Sequence, residues 1–401
     1  MQVPTPTAPT SIATAPRLAS IDAYRGLAML LLVFFDAPNN WISPLREAYF
    51  GSPMALAIVA QFEHVEWAGI AIWDMIQPSF MFVVGVSAAF SYAARVRRGE
   101  SFGRMLAHAV YRSLLLILIG IFLRSEGHKV TNWTLDDVVT QIGLGYVFLF
   151  LLCNRGWKVQ VGAATAILVG YWLLFALWPL PAAGYDYAAV NGQAYYDGFW
   201  AHWNKNANPG HYFDAWLLNL FPRPEPWIAS AGGYNTLNFI PSLATMILGL
   251  LAGELLRGEV SDRRKLTTLL ISGVGCLLLG LACHFGGICP IVKRLWTPSF
   301  TLASGGLCLM AMDLLYAIVD LAGWRRWAFP AIVVGMNSIA AYAMIHLIAG
   351  WTLETYLRHA GPAMFTLFGP PFEPLLQNLA VGAMIWLICY WMYRRRIFLR
   401  L

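Results

Sequence analysis

The sequence predicts an all-α, polytopic integral membrane protein, and three observations predict it. Of its 401 residues, 58% are hydrophobic and only 12% charged, with a mean hydropathy of +0.58. That is too little polar surface to cover a soluble globule of this size. Apolar windows long enough to cross about 30 Å of hydrocarbon recur along the chain. They are continuous runs such as "SLLLILIGIFL", not the alternating segments of about ten residues that build a membrane β-barrel. Each segment must therefore satisfy its own backbone N–H and C=O groups as a helix.

Taken in order, residues 1–16 are rich in Pro, Thr and Ala and lack an apolar core, a charged leader or a clear cleavage site. They read as a disordered cytoplasmic tail. About ten spans follow, at 19–36, 71–94, 104–123, 135–153, 158–178, 236–256, 266–285, 299–320, 328–350 and 375–393. In the first outer loop, 37–70, the stretch "SPMALAIVAQFEH" predicts a helix of about three turns with Ser52 as N-cap and Pro53 at its first position. Such a helix is too short to span; it lies at the interface and delivers Glu63 and His64 to the mouth of the second span. The second outer loop, 179–235, is dense in Tyr, Trp, Asn and Gly, which suits a membrane-interface belt, simple loop packing or a lid over a sugar.

Orientation follows from the basic residues. With the first residue inside, seventeen Lys and Arg fall in inside segments and eight outside, with Arg25 and Arg112 inside spans. Inside loops keep the excess, so both termini are expected in the cytoplasm and His64 on the far face. The net charge of +6 is then a topology signal, and nucleic acid does not enter. The six cysteines show neither metal spacing nor a disulfide framework, although a Cys283–Cys289 bridge is conceivable.

Chemistry concentrates in three places. His64 stands among Glu63, Glu66 and Asp74; a neutral imidazole at an aqueous mouth is a good general base, and a carboxylate can fix its tautomer. Four polar residues with no mutual contact are the alternative. Inside the bundle, Arg25, Arg112 and Asp313 lie about 9, 12 and 10 Å from the inner ends of their spans, with Asp22 slightly shallower, at 1.5 Å per residue. They could form one charged layer that locks helices together, or two guanidinium forks that hold a phosphate. At the outer end of the eighth span, Lys293 and Trp296 of "PIVKRLWTPSF" either anchor at the interface or line the same mouth as His64. Asn337, Tyr342 and His346 of "GMNSIAAYAMIH" project from the ninth span, and Gly249/Gly253 reads as close helix packing.

Read in order, "RLASIDAYRGLAMLLLVF", "HVEWAGIAIWDMIQPSFMFVVGVS", "VYRSLLLILIG", "QIGLGYVF", "IPSLATMILGLLAGE", "KRLWTPSF" and "GMNSIAAY" resemble the motifs of the heparan-α-glucosaminide N-acetyltransferase family and its bacterial relatives. The resemblance covers about 17–395 and implies a single transmembrane acyltransferase domain over 17–401. It implies transfer of an acetyl group from cytoplasmic acetyl-CoA to the amine of a glucosamine-type sugar outside, in an inner-membrane enzyme. The family uses a histidine in the first outer loop, which here is His64, with Asp74 and Asp36 as further catalytic candidates. Arg25, Arg112, Lys293, Trp296, Ser299 and Asn337 become candidates for holding acetyl-CoA, and no metal is implied. The partners are then acetyl-CoA, an amino-sugar or other glycan acceptor and membrane lipid, with a homodimer left open. One departure is Asp36, where many members carry asparagine. An O-acyltransferase of envelope glycans and a transporter or flippase remain the competing readings.

Overall fold

The computed structural model describes residues 18–36 and 38–399; the tail expected over 1–16 lies outside them. A helix stands at every apolar window. α1 (Ala19–Phe35) leads to α2 (Ile42–Ala48) and α3 (Pro53–Ala60), then come α4 (Ile76–Arg97), α5 (Phe102–Arg124), α6 (Val138–Leu152) and α7 (Trp157–Ala176). The long loop 179–235 carries α8 (Pro209–Leu217), followed by α9 (Phe239–Arg257), α10 (Asp262–Phe285), α11 (Pro298–Leu315), α12 (Phe329–Gly335), α13 (Ser338–Ala360) and α14 (Glu373–Arg394). Among the described residues, seven helices are long and apolar enough to cross a membrane, and α12 with α13, bent by 79°, can make an eighth. α1 and α6, with 17 and 15 residues, fall short of the ~20 that a span usually needs. This is why a sequence count of about ten becomes seven or eight by length and composition.

α9 is the central post: 67% of its apolar window is buried, against 17% for α10. It packs on α4 without room for a methyl group at the crossing. A Cβ on Gly249 would overlap the Phe82 carbonyl, one on Gly85 the Met246 carbonyl, and one on Gly253 would lie 2.6 Å from the Val86 oxygen. Small residues at such a crossing let backbones approach where lipid offers no hydrophobic drive. α1 meets α12 in the same way, through Gly26 against Ala331 and Gly335 against Asp22.

The exposed N–H groups at the start of α1, which no turn of its own can satisfy, are taken by a distant side chain. Asp320, in the π-helical turn Tyr316–Leu321 that ends α11, accepts from Ala19 N at 3.0 Å and Ser20 N at 3.1 Å. The long loop 179–235 is packed as a cap. Trp203 is buried with Trp67, Phe175 and Val292, so three loops far apart in the sequence share one small core. Asn206, also buried, donates to the carbonyls of Val190 and Ser230 at 2.8 Å each. The loop's aromatic residues are therefore largely engaged in packing. All six cysteines are free, Cys283 and Cys289 included.

Candidate active site

α3 starts as its sequence predicts, with Ser52 Oγ accepting from Ala55 N at 3.4 Å and Pro53 in the first turn. It ends at Ala60, two turns instead of three, and the chain folds back so that Trp73 N donates to Gln61 O at 2.9 Å. His64 therefore sits in a loop closed at its base, opposite the one-turn helix Trp73–Met75 that opens α4 and carries Asp74.

Asp74 is fully buried. Its Oδ2 accepts from Ala71 N at 3.1 Å and Val65 N at 3.3 Å, which fixes the carboxylate, and its Oδ1 lies 2.7 Å from His64 Nδ1. A contact that short between a carboxylate and a ring nitrogen requires a proton between them, which places one on Nδ1. While the ring is neutral, the Nε2 lone pair is then free on the opposite edge of the ring. Lys293, only 5% exposed, brings Nζ to 3.3 Å from Asp74 Oδ1 and 3.0 Å from His64 Nδ1. Because Nδ1 already carries a proton, the ammonium donates to the carboxylate.

The charges follow from burial. Burial pushes the Lys293 ammonium down to about 8, against the pull of Asp74. Burial also lowers His64 from its ordinary value; the hydrogen bond to Asp74 opposes this, while the Lys293 and Arg294 charges reinforce it. At neutral pH the cluster therefore holds a carboxylate, an ammonium and an uncharged imidazole.

His64 opens onto a cleft of about 800 Å³ whose walls include Asp36, Asn39, Trp41, Glu63, Glu66 and Trp73. Of the acidic residues near His64 in sequence, only Asp74 touches it. Glu63 pairs with Arg46 on α2, and Glu66 receives the Tyr195 hydroxyl at 3.5 Å. Asp36 faces the same cleft from the end of α1.

The other candidates separate. Trp296 is buried, with its ring N–H to Thr245 Oγ1 at 3.3 Å and its backbone left-handed at φ 47°. Ser299 Oγ donates to Pro290 O at 2.7 Å, and Thr297 Oγ1 ties Pro290 O to Val292 N at 2.8 and 3.0 Å. Together these bonds knit the loop that presents Lys293. Asn337 grips the C-terminal segment, donating to Ile397 O and accepting from Leu399 N at 3.1 Å each. Tyr342 and His346 meet edge to face at 4.7 Å.

Arg25 donates to Ser87 Oγ on α4 at 2.7 Å and to Gly335 O at 3.4 Å. Arg112 instead stacks on Tyr146 of α6, 4.6 Å from the ring centroid, with a 3.0 Å hydrogen bond to its hydroxyl. Arg112 Nε and Asp313 Oδ1 are buried without a partner, so these two do not pair as a charged layer would require. Arg112 lines a small groove of about 60 Å³ with Arg95 and His108. His108 and Tyr146 were missed in the sequence, although His108 and Arg112 stand four apart on one face of α5. Asp74 and Arg95 mark opposite ends of α4, about 30 Å apart at 1.5 Å per residue.

No family model matches the chain. It is 26% identical over 442 aligned positions to a Homo sapiens protein, heparan-alpha-glucosaminide N-acetyltransferase, and 25% identical over 432 to the Mus musculus protein of the same name. Each comparison covers 96% of this chain and 60% of the relative, so the chain spans about 60% of the length of the curated relatives it matches.

Proposed function

We propose that this chain, which resembles the heparan-α-glucosaminide N-acetyltransferases over nearly its whole length, is a membrane-bound acetyltransferase. It moves an acetyl group from acetyl-CoA at the cytoplasmic face to the amine of a glucosamine-type sugar at the outer face. The observation that carries this reading is the His64 ring, which is held at Nδ1 by Asp74 and lines a cleft large enough for a sugar. The Arg95, His108 and Arg112 groove at the other end of α4 supports a site for the anionic part of the donor. The excess of basic residues in the loops at that end supports the sidedness.

In this mechanism the acceptor amine attacks the thioester carbonyl while His64 Nε2 takes the amine proton. The new C–N bond forms, the C–S bond breaks, and the departing thiolate takes the proton from the imidazolium. A route in which Nε2 itself attacks, carries the acetyl group and yields it to the amine needs the same lone pair. Asp74 steadies the imidazolium in either route.

Product analysis tests the proposal. Inside-out vesicles holding the protein and loaded with glucosamine oligomers should consume acetyl-CoA supplied outside, the cytoplasmic side, and mass spectrometry should find an amide on the sugar. An ester product would instead indicate O-acylation, and an intact thioester would leave a transporter. Arg112→Gln should weaken acetyl-CoA binding by about ten- to a hundredfold, the loss of a charged hydrogen bond worth about 1.5–3 kcal/mol, in protein that still folds. Unchanged affinity with lower thermal stability would make Arg112 a helix lock.

A further inference from the structure

The His64–Asp74 contact by itself works against a base. A buried carboxylate 2.7 Å from an imidazole favours the imidazolium, and an imidazolium has no lone pair to offer. In this cluster a third charge sits on the same carboxylate oxygen. We propose that Lys293 is a positioning residue whose ammonium, pinned to Asp74 beside His64, holds the histidine as the neutral Nδ1–H tautomer and keeps its Nε2 lone pair available to the cleft.

The geometry leaves Lys293 few alternatives. It follows Val292 and precedes Arg294 and Leu295 in a loop tied by Thr297 and Ser299, and both Val292 and Leu295 are fully buried. Its Nζ reaches Asp74 Oδ1 at 3.3 Å, with the Tyr234 ring behind it at 6.0 Å. A proton added to His64 Nε2 would put a second positive charge on a ring whose Nδ1 is 3.0 Å from that ammonium, and like charges at such range in a partly desolvated site repel strongly. The carboxylate, already neutralised by lysine, stabilises an imidazolium far less than a free carboxylate would. Once Nε2 has taken a proton during reaction, the same repulsion helps it leave.

The remaining charges around His64 are further removed. Glu63 is paired with Arg46 of α2, and Glu66 on the same loop meets Tyr195. Asp36 comes from the end of α1, with His346 of α13 within its electrostatic reach. Arg294 is held by Gly232 O at 2.6 Å above the Tyr234 ring. Among the described residues, only Asp74 and Lys293 among the charged groups touch the imidazole.

The inference rests on His64 being the reacting group, and a chemical probe separates it from the acetyltransferase reading. Diethylpyrocarbonate acylates neutral imidazole, so the labelling rate of His64 against pH, read by peptide mass spectrometry on the purified full chain, reports its protonation without any turnover. Lys293→Met removes the charge at similar length and should raise the labelling midpoint by about one pH unit or more, so labelling at a pH well below the parent midpoint falls roughly tenfold. Lys293→Arg should keep the midpoint near that of the parent. Lys293→Gln, whose amide can still donate to Asp74, should shift it as Met does and serves if the Met variant does not fold. An unchanged midpoint in the uncharged variants, or an equal shift with Arg, overturns the inference. A shifted midpoint in a protein that never acetylates a sugar would instead sink the acetyltransferase reading and leave the role of Lys293 standing.

Discussion

Replacing His64 by alanine should lower turnover by roughly two to four orders of magnitude, the range typical of lost acid–base catalysis, while the protein stays folded. The structure explains why folding should survive. Asp74 would keep Lys293 and the N–H groups of Ala71 and Val65, so no buried charge is left without a partner. The His64 side chain is 37% exposed and gives up little packing. Binding of acetyl-CoA should change little, because the Arg112 groove lies at the other end of α4. A variant that retains more than about a tenth of parental turnover would remove His64 from the mechanism. Asp36, in the same cleft, would then be the group to test as base. The parent's rate should fall on acidification through a midpoint below 6.5, as the imidazole that burial keeps neutral finally takes a proton.

Asp74→Asn should be nearly as damaging, with a loss on the order of 10²–10⁴ in turnover, because an amide can donate to Nδ1 and so drive the ring proton to Nε2, the edge that must be free. It should also destabilise the fold, since Lys293 would then be a buried cation without its counter-charge, a loss of about 3–5 kcal/mol when one partner of a buried pair is removed. The two effects can be told apart. Adding Lys293→Met to Asp74→Asn removes the orphaned charge and should recover thermal stability without recovering turnover. If the double variant regains activity, the carboxylate's contribution was structural.

The fold was legible because hydrophobicity is written locally. A run of apolar residues that cannot leave its N–H and C=O groups bare in lipid has one solution, and each window duly holds a helix. The N-terminus of α3 could be read from Ser52 and Pro53, since a cap is a contact between near neighbours. The end of α3 could not, because the turn after Ala60 is held by a bond from Trp73 back to Gln61.

The site divides in the same way. Glu63, His64, Glu66 and Asp74 were visible as a group, but which carboxylate would meet the ring depended on how the loop folds back. Lys293 lies 229 positions from His64, and "KRLWTPSF" offers the shared mouth only as one of two readings, because nothing in its spacing decides which loop it closes on. Asn337, conspicuous in its motif, spends both ends of its amide on the C-terminal segment, a role that only the folded chain discloses.

The Asp320 carboxylate at the head of α1 has a consequence for how the chain is made. α1 leaves the ribosome before the other described helices, yet its cap lies 301 positions downstream, and its close-packed neighbour α12 and the tie from Asn39 to Asn378 come later still. At roughly 5–20 residues per second, translation separates α1 from these partners by about 15–60 s. During that interval α1 has the glycine face meant for α12 uncovered and its first N–H groups without the Asp320 carboxylate that accepts from them. Asn39, on the wall of the cleft, gains its Asn378 partner only when α14 arrives, so that wall takes its final tie late in biosynthesis.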